Sequence, residues 1–179
     1  MKKIVMSLVW AMVLGSVVHA QTEKGDWMVG GNMTINTTSG NSQFTLQPSA
    51  GYFFARNFVA GADFTLSLGK VDQTKTSAIG VGPFARYYFS LKNPDVKPFL
   101  HAEFSIASET RKYPTYKNSN TVTSFFIGGG LAYFVNRNVA LEGVAGYNRS
   151  KIETLVPTNG FLFRLGFQVY LSGGEVTGR

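Results

Sequence analysis

The chain has 179 residues and a formal charge of +7, with 20 glycines, 15 phenylalanines, 8 tyrosines and only 15% charged residues. So little charge is unusual for a soluble surface. The absence of cysteine excludes disulfides, thiolate metal sites, a cysteine nucleophile and a lipid-modified cysteine.

The first element reads as an export signal. Lys2 and Lys3 form a positive start, the stretch to Val18 is almost wholly apolar, and Val18-His19-Ala20 ends on a small residue. Cleavage is expected after Ala20, giving a signal peptide over 1–20 and one mature domain over 21–179. The apolar run is about 15 residues, shorter than the roughly 20 of a membrane-spanning helix.

Beyond it no segment carries 18 consecutive apolar residues, and period-two alternation recurs instead. Eight strands are expected, at 26–37, 43–54, 59–69, 78–89, 97–109, 121–134, 139–150 and 159–171, each about the length a tilted strand needs to cross a bilayer. The third has Ala62, Phe64, Leu66 and Leu68 on one face and Asp63, Thr65 and Ser67 on the other. The eighth has Phe161, Phe163, Leu165, Phe167, Val169 and Leu171 opposite Arg164, Gly166 and Gln168. One apolar and one polar face follow, as in an antiparallel sheet.

Short connections with turn residues (Ala55-Arg56-Asn57, Lys92-Asn93-Pro94-Asp95, Asn136-Arg137-Asn138) alternate with longer polar ones at 38–42, 70–77, 110–120 and 151–158. Such alternation is the habit of outer-membrane barrels, turns in the periplasm and loops outside. The segment from Gly51 to Gly61 resembles that from Ala132 to Leu141, an internal hairpin repeat that suggests a meander.

The hairpin AGYFFARNFVAGADF, the leader, the strand count and the ending FLFRLGFQVYL together resemble the small outer-membrane β-barrel (porin-like) family, whose architecture is shared with the OmpA transmembrane domain. The resemblance covers essentially the whole mature chain and implies an all-β, eight-stranded antiparallel up-and-down transmembrane barrel in the bacterial outer membrane. Such barrels finish on an aromatic residue that the barrel-insertion machinery recognises, whereas here Gly173 to Arg179 follow Tyr170.

Phasing the strands on their apolar residues puts Asp63, Arg86, Glu103, Glu142 and Arg164 on the polar side, four to seven residues from the nearest short turn, so they are expected in one layer of the lumen with His101. In strand 78–89 this phase also turns Phe84 and Tyr88 inward. The cluster reads as a plug of mutually satisfied ion pairs, or as a gate in which Arg86 or Arg164 changes partner and opens a narrow porin-like channel. A third reading, a lipid-modifying enzyme, would use His101 with Glu103 and Ser105 as base, orienting acid and nucleophile. All three face inward, however, while lipid lies outside, so no catalytic role is expected. One mature histidine and no cysteine provide no metal site, and no cofactor is expected. A soluble periplasmic barrel with a bound apolar ligand would need the opposite phasing.

Gly80, Gly82 and Gly128-Gly129-Gly130 carry no phosphate-loop signature and suit close packing in a small barrel. Trp27, Tyr52, Phe54, Phe58, Tyr87, Phe89, Phe99, Tyr133 and Phe167 are expected in a periplasmic aromatic girdle. Outside, Lys70, Lys75, Arg111, Lys112, Lys117, Arg149 and Lys151 outnumber Asp72, Glu109 and Glu153. The expected partners are therefore outer-membrane lipid and lipopolysaccharide, with the insertion machinery during biogenesis. No nucleic acid is expected, and the chain reads as a monomer with a structural, envelope or surface-interaction role.

Overall fold

The computed structural model describes residues 22–38, 41–71, 74–113, 116–152 and 156–173. The proposed signal peptide, the loop tips and the end of the chain after Gly173 lie outside the described residues. Eight strands form: β1 (Trp27–Thr38), β2 (Asn41–Ala55), β3 (Phe58–Val71), β4 (Thr74–Tyr88), β5 (Val96–Lys112), β6 (Lys117–Phe134), β7 (Val139–Ile152) and β8 (Thr158–Leu171). Each pairs antiparallel with the next and β8 pairs with β1, closing the barrel. The β1–β8 seam runs from Trp27↔Leu171 to Met33↔Leu165.

At the short-turn end the strands begin and end within a residue or two of the expected positions. At the other end they run further. β4 starts at Thr74 rather than 78, β5 continues to Lys112 and β6 starts at Lys117. There Lys70↔Lys75, Thr110↔Ser119 and Lys112↔Lys117 keep the ladder going. Above the bilayer both faces of a strand meet water, so the apolar alternation fades while the backbone pairing does not. Period-two reading therefore stops too early.

The outward face is apolar: Phe64, Leu66, Val81, Phe104, Ile106, Ile127, Leu131 and Leu165 are all exposed. A contiguous apolar surface of this kind is the exception among water-soluble monomers. Lipid is its natural solvent.

The inward face changes character along the axis. Near the turns it carries Met28, Phe53, Tyr88, Phe99, Phe134 and Tyr170, all buried. Phe99 was expected in the outer girdle and instead points into the lumen, 2% exposed, because it shares the phase of Lys97, His101 and Glu103. Strand phase decides where it points, and nearness to a turn does not. Trp27, Phe54, Phe58, Tyr87, Phe89, Tyr133 and Phe167 do face outward, at the interface depth where aromatic side chains are favoured.

The repeated hairpins occupy equivalent places. Tyr52 and Tyr133 lie next to the inward-pointing Phe53 and Phe134, and Val59 and Ala140 are buried after each turn. Asn57 in the first turn adopts φ 64°, a left-handed conformation that asparagine tolerates better than most residues. Before β1 the chain folds under the mouth. Gly25 N–H donates to Phe53 O at 2.9 Å and Asn57 N–H to Thr22 O at 2.7 Å.

Gly128 and Gly146 oppose each other across β6 and β7. A Cβ on Gly146 would lie 2.5 Å from the Gly128 Cα, and one on Gly128 would lie 2.8 Å from the Phe126 ring. The wall can curve tightly there because both side chains are missing.

Candidate functional site

Alternation carries Asp63, Arg86, His101, Glu103, Glu142 and Arg164 from β3, β4, β5, β7 and β8 into the lumen, each 7% exposed or less. They do not share one layer. Arg86 lies two residues from the end of β4 and Glu142 three from the start of β7, whereas Glu103 and Arg164 are each seven residues from the turn ends of β5 and β8. At about 3.3 Å per residue, that separation makes two rungs.

In the rung nearer the turns an Arg86 Nη donates to Glu142 Oε2 at 2.6 Å and to the Tyr88 hydroxyl at 2.8 Å. The Tyr170 hydroxyl donates to Glu142 Oε1 at 3.0 Å and lies 2.7 Å from that of Tyr88. The Arg86 guanidinium also sits 4.2 Å from the centre of the Phe99 ring, close enough for cation–π attraction. The phenols thus solvate both members of an ion pair held out of water.

In the second rung Arg164 donates to Glu103 Oε2, and Gln47 Nε2 donates to Glu103 Oε1 at 3.1 Å. The Arg164 guanidinium lies 4.3 Å from the centre of the Phe126 ring. His101 joins the rungs. Arg86 Nε–H donates to its Nδ1 at 3.3 Å, so the ring proton belongs on Nε2, which lies 3.4 Å from Glu103 Oε2. With both ring nitrogens engaged by Arg86 and Glu103, the imidazole is not directed at Ser105. The base–nucleophile contact that catalysis requires is not made by these three residues.

Asp63 stands apart from this chain of contacts. It lies within electrostatic range of Glu103 and Arg164, yet its Oδ1 is buried without a hydrogen-bond partner among the described residues, as is Arg164 Nε. Between the rungs and Asp63 remains a cavity of about 10 Å³, lined in part by Asn32, Gln47, Ser49 and Phe84. That is room for about one water molecule. Among the described residues no group of three or more potential metal ligands forms.

Several members of the network were not singled out from sequence. Alternation turns Tyr88 inward, but it does not reveal the hydroxyl's place in the ion pair. Tyr170 has the phase of Arg164 and Gln168, and that signal was available. Gln47 sits on β2, whose alternation is broken by Pro48 and small residues. Lys97 Nζ donates to Thr22 Oγ1 at 2.7 Å, a contact between segments 75 residues apart that no local pattern announces.

A closed barrel with an apolar exterior and an ion-paired interior narrows the family sharply. The model of the outer membrane protein beta-barrel domain matches residues 6–168. The chain belongs to that family. Several solved structures share its architecture. Neisserial surface protein A superposes with a TM-score of 0.62 at 22% identity, covering 83% of this chain and 97% of its own. The N-terminal β-barrel of Pseudomonas aeruginosa OprF gives 0.54 at 16% identity, over 83% and 98%. OprG of the same organism gives 0.53 at 11% identity, over 87% and 100%. At these identities the likeness is one of fold. No curated protein sequence matches the chain. As a member of the outer membrane protein beta-barrel family, the protein resides in the bacterial outer membrane.

Proposed function

We propose that this protein is a non-catalytic, non-conducting barrel that serves the integrity and surface of the outer membrane, with its lumen plugged by its own side chains. One observation carries the reading. Met28, Phe53, Tyr88, Phe99 and Tyr170, each at most 2% exposed, converge at the turn end, around and below the Arg86–Glu142 rung. An eight-stranded barrel is just wide enough for side chains to fill, and the residual cavity of about 10 Å³ is too small for a hydrated ion.

The second reading, a narrow channel, is favoured by one specific feature. Asp63 and Arg164 each keep a buried polar atom without a hydrogen-bond partner among the described residues, and they feel each other's charge. Transfer of Arg164 from Glu103 to Asp63 would rearrange the second rung, leaving Glu103 held by Gln47 and His101. The aromatic layer below would still have to part.

Planar-bilayer recording distinguishes the two. The native protein should give no resolved conductance steps, and Phe53→Ala combined with Tyr88→Ala and Tyr170→Ala should introduce them. Stable steps from the native protein, altered by Glu103→Gln, would reject the plug in favour of the gated channel.

A further inference from the structure

The loop-side rim carries a pattern that the lumen does not explain. Lys70 on β3 is the register partner of Lys75 on β4, Lys75 of Lys112 on β5, and Lys112 of Lys117 on β6. Four lysines therefore stand side by side on four adjacent strands. All four are exposed, and all take the outward phase: Lys70 with Leu66 and Leu68, Lys75 with Ile79 and Val81, Lys112 with Phe104 and Ile106, Lys117 with Phe125 and Ile127. None is ion-paired with an acid among the described residues.

Like charges directly opposite on neighbouring strands repel, and three such pairs in succession are not what strand pairing alone selects. A multivalent anion lying along the row would remove the repulsion. With strands about 4.8 Å apart the row spans about 14 Å, enough for more than one phosphate, each between two ammonium groups.

The rows beneath identify the kind of anion. One step toward the membrane centre on the same outer face come Leu68, Ser77, Thr110 and Ser119, in register with one another, with Thr110 and Ser119 hydroxyls 3.0 Å apart. In the next row Leu66 and Ile79 are exposed and apolar while Ser108 and Thr121 extend the hydroxyls, and one row further Val81 and Ile106 are exposed and apolar. The lysines, with Ser77 and Thr110, line a concavity of about 580 Å³. Cationic, then hydroxyl, then apolar is the order in which an amphiphile with a phosphorylated sugar head presents phosphate, sugar and acyl chain. Lysine stems extend along apolar surface while their ammonium groups reach toward charged headgroups.

We infer that the lysine row Lys70–Lys75–Lys112–Lys117 is a binding site, on the lipid-facing side of the barrel, for the phosphorylated headgroup of an outer-leaflet glycolipid. The site recognises the phosphates through the four ammonium groups, the sugar through the hydroxyl row and the acyl chains through the apolar surface below. It is independent of the lumen plug.

The test uses the refolded mature protein in mild detergent, with folding of each variant confirmed by its unboiled gel mobility. Binding of a bis-phosphorylated acylated disaccharide lipid and of its dephosphorylated form is measured by native mass spectrometry. The native protein should prefer the phosphorylated form by about tenfold or more, since each lysine near an anionic surface contributes roughly fivefold and four of them face the phosphates. Lys75→Gln with Lys112→Gln should abolish the preference. Lys24→Gln with Lys92→Gln, which removes the same charge at the turn end, should leave it intact, and inorganic pyrophosphate should compete only weakly. Equal binding of the two lipids, or equal loss in both double variants, would overturn the site. Competition by pyrophosphate as strong as by the lipid would assign the row to a free anion and reject the glycolipid. Since neither double variant touches the lumen, failure here leaves the plug untouched, and conductance of the native protein would leave this site untouched.

Discussion

The Arg86 and Glu142 side chains are 2% and 1% exposed and touch at 2.6 Å, so each charge depends on the other and on the phenols around it. Removing one partner of a buried pair leaves an uncompensated charge and typically destabilises by about 3–5 kcal/mol. Glu142→Ala should lower the stability of the folded barrel by that order, read from the urea midpoint of its gel-mobility shift. Replacing both partners with apolar residues of similar size, Arg86→Met with Glu142→Leu, should recover most of the loss, because no charge then remains to be solvated. A double variant less stable than Glu142→Ala would show that the pair contributes more than mutual neutralisation. Tyr88→Phe should be milder, about 1 kcal/mol, since the Tyr170 and Arg86 contacts to Glu142 survive it.

Strand phase and register permit sharper expectations. Ile127 and Tyr133 both face lipid from β6, Ile127 near mid-strand and Tyr133 one residue from the turn end. Arginine at the first position should destabilise by about 2–4 kcal/mol and at the second by about 0–1, a depth dependence that would vanish if β6 were solvated along its length. At the closing seam Val29 pairs with Val169. Since the chain has no cysteine, Val29→Cys with Val169→Cys should form one intramolecular disulfide on mild oxidation, whereas Val29→Cys with Gln168→Cys, on opposite faces, should not. The strand positions were legible because the apolar belt imposes a period of two wherever one face meets lipid and the other does not. The extensions to Thr74, Lys112 and Lys117 were not, because above the belt that asymmetry is gone. The inward turn of Phe99 was hidden for a different reason: an aromatic residue near a turn suits both the girdle and the plug, and only its phase with His101 and Glu103 separates them.

For the molecule as a whole, the six inward polar residues were identifiable as a group, since a charge on the lipid face is expensive enough to be sorted by alternation alone. Their division into two rungs, and the tyrosines that solvate the lower one, depend on how strand tilt and stagger set depth around a closed barrel. No single strand carries that information. The row of four lysines is likewise invisible along the chain, where successive members are 5, 37 and 5 positions apart; β3 to β6 must pair in this register before they meet. The apolar exterior, the dry ion pairs and the lysine row above the acyl region all lose their physical basis without closure in the membrane. The most direct test is to extract the mature protein from the outer-membrane fraction and run it on a denaturing gel with and without boiling, before and after protease. A closed barrel predicts an unboiled band that migrates faster than the boiled one and survives protease. A single mobility, with the protein recovered in the soluble periplasmic extract, would contradict it.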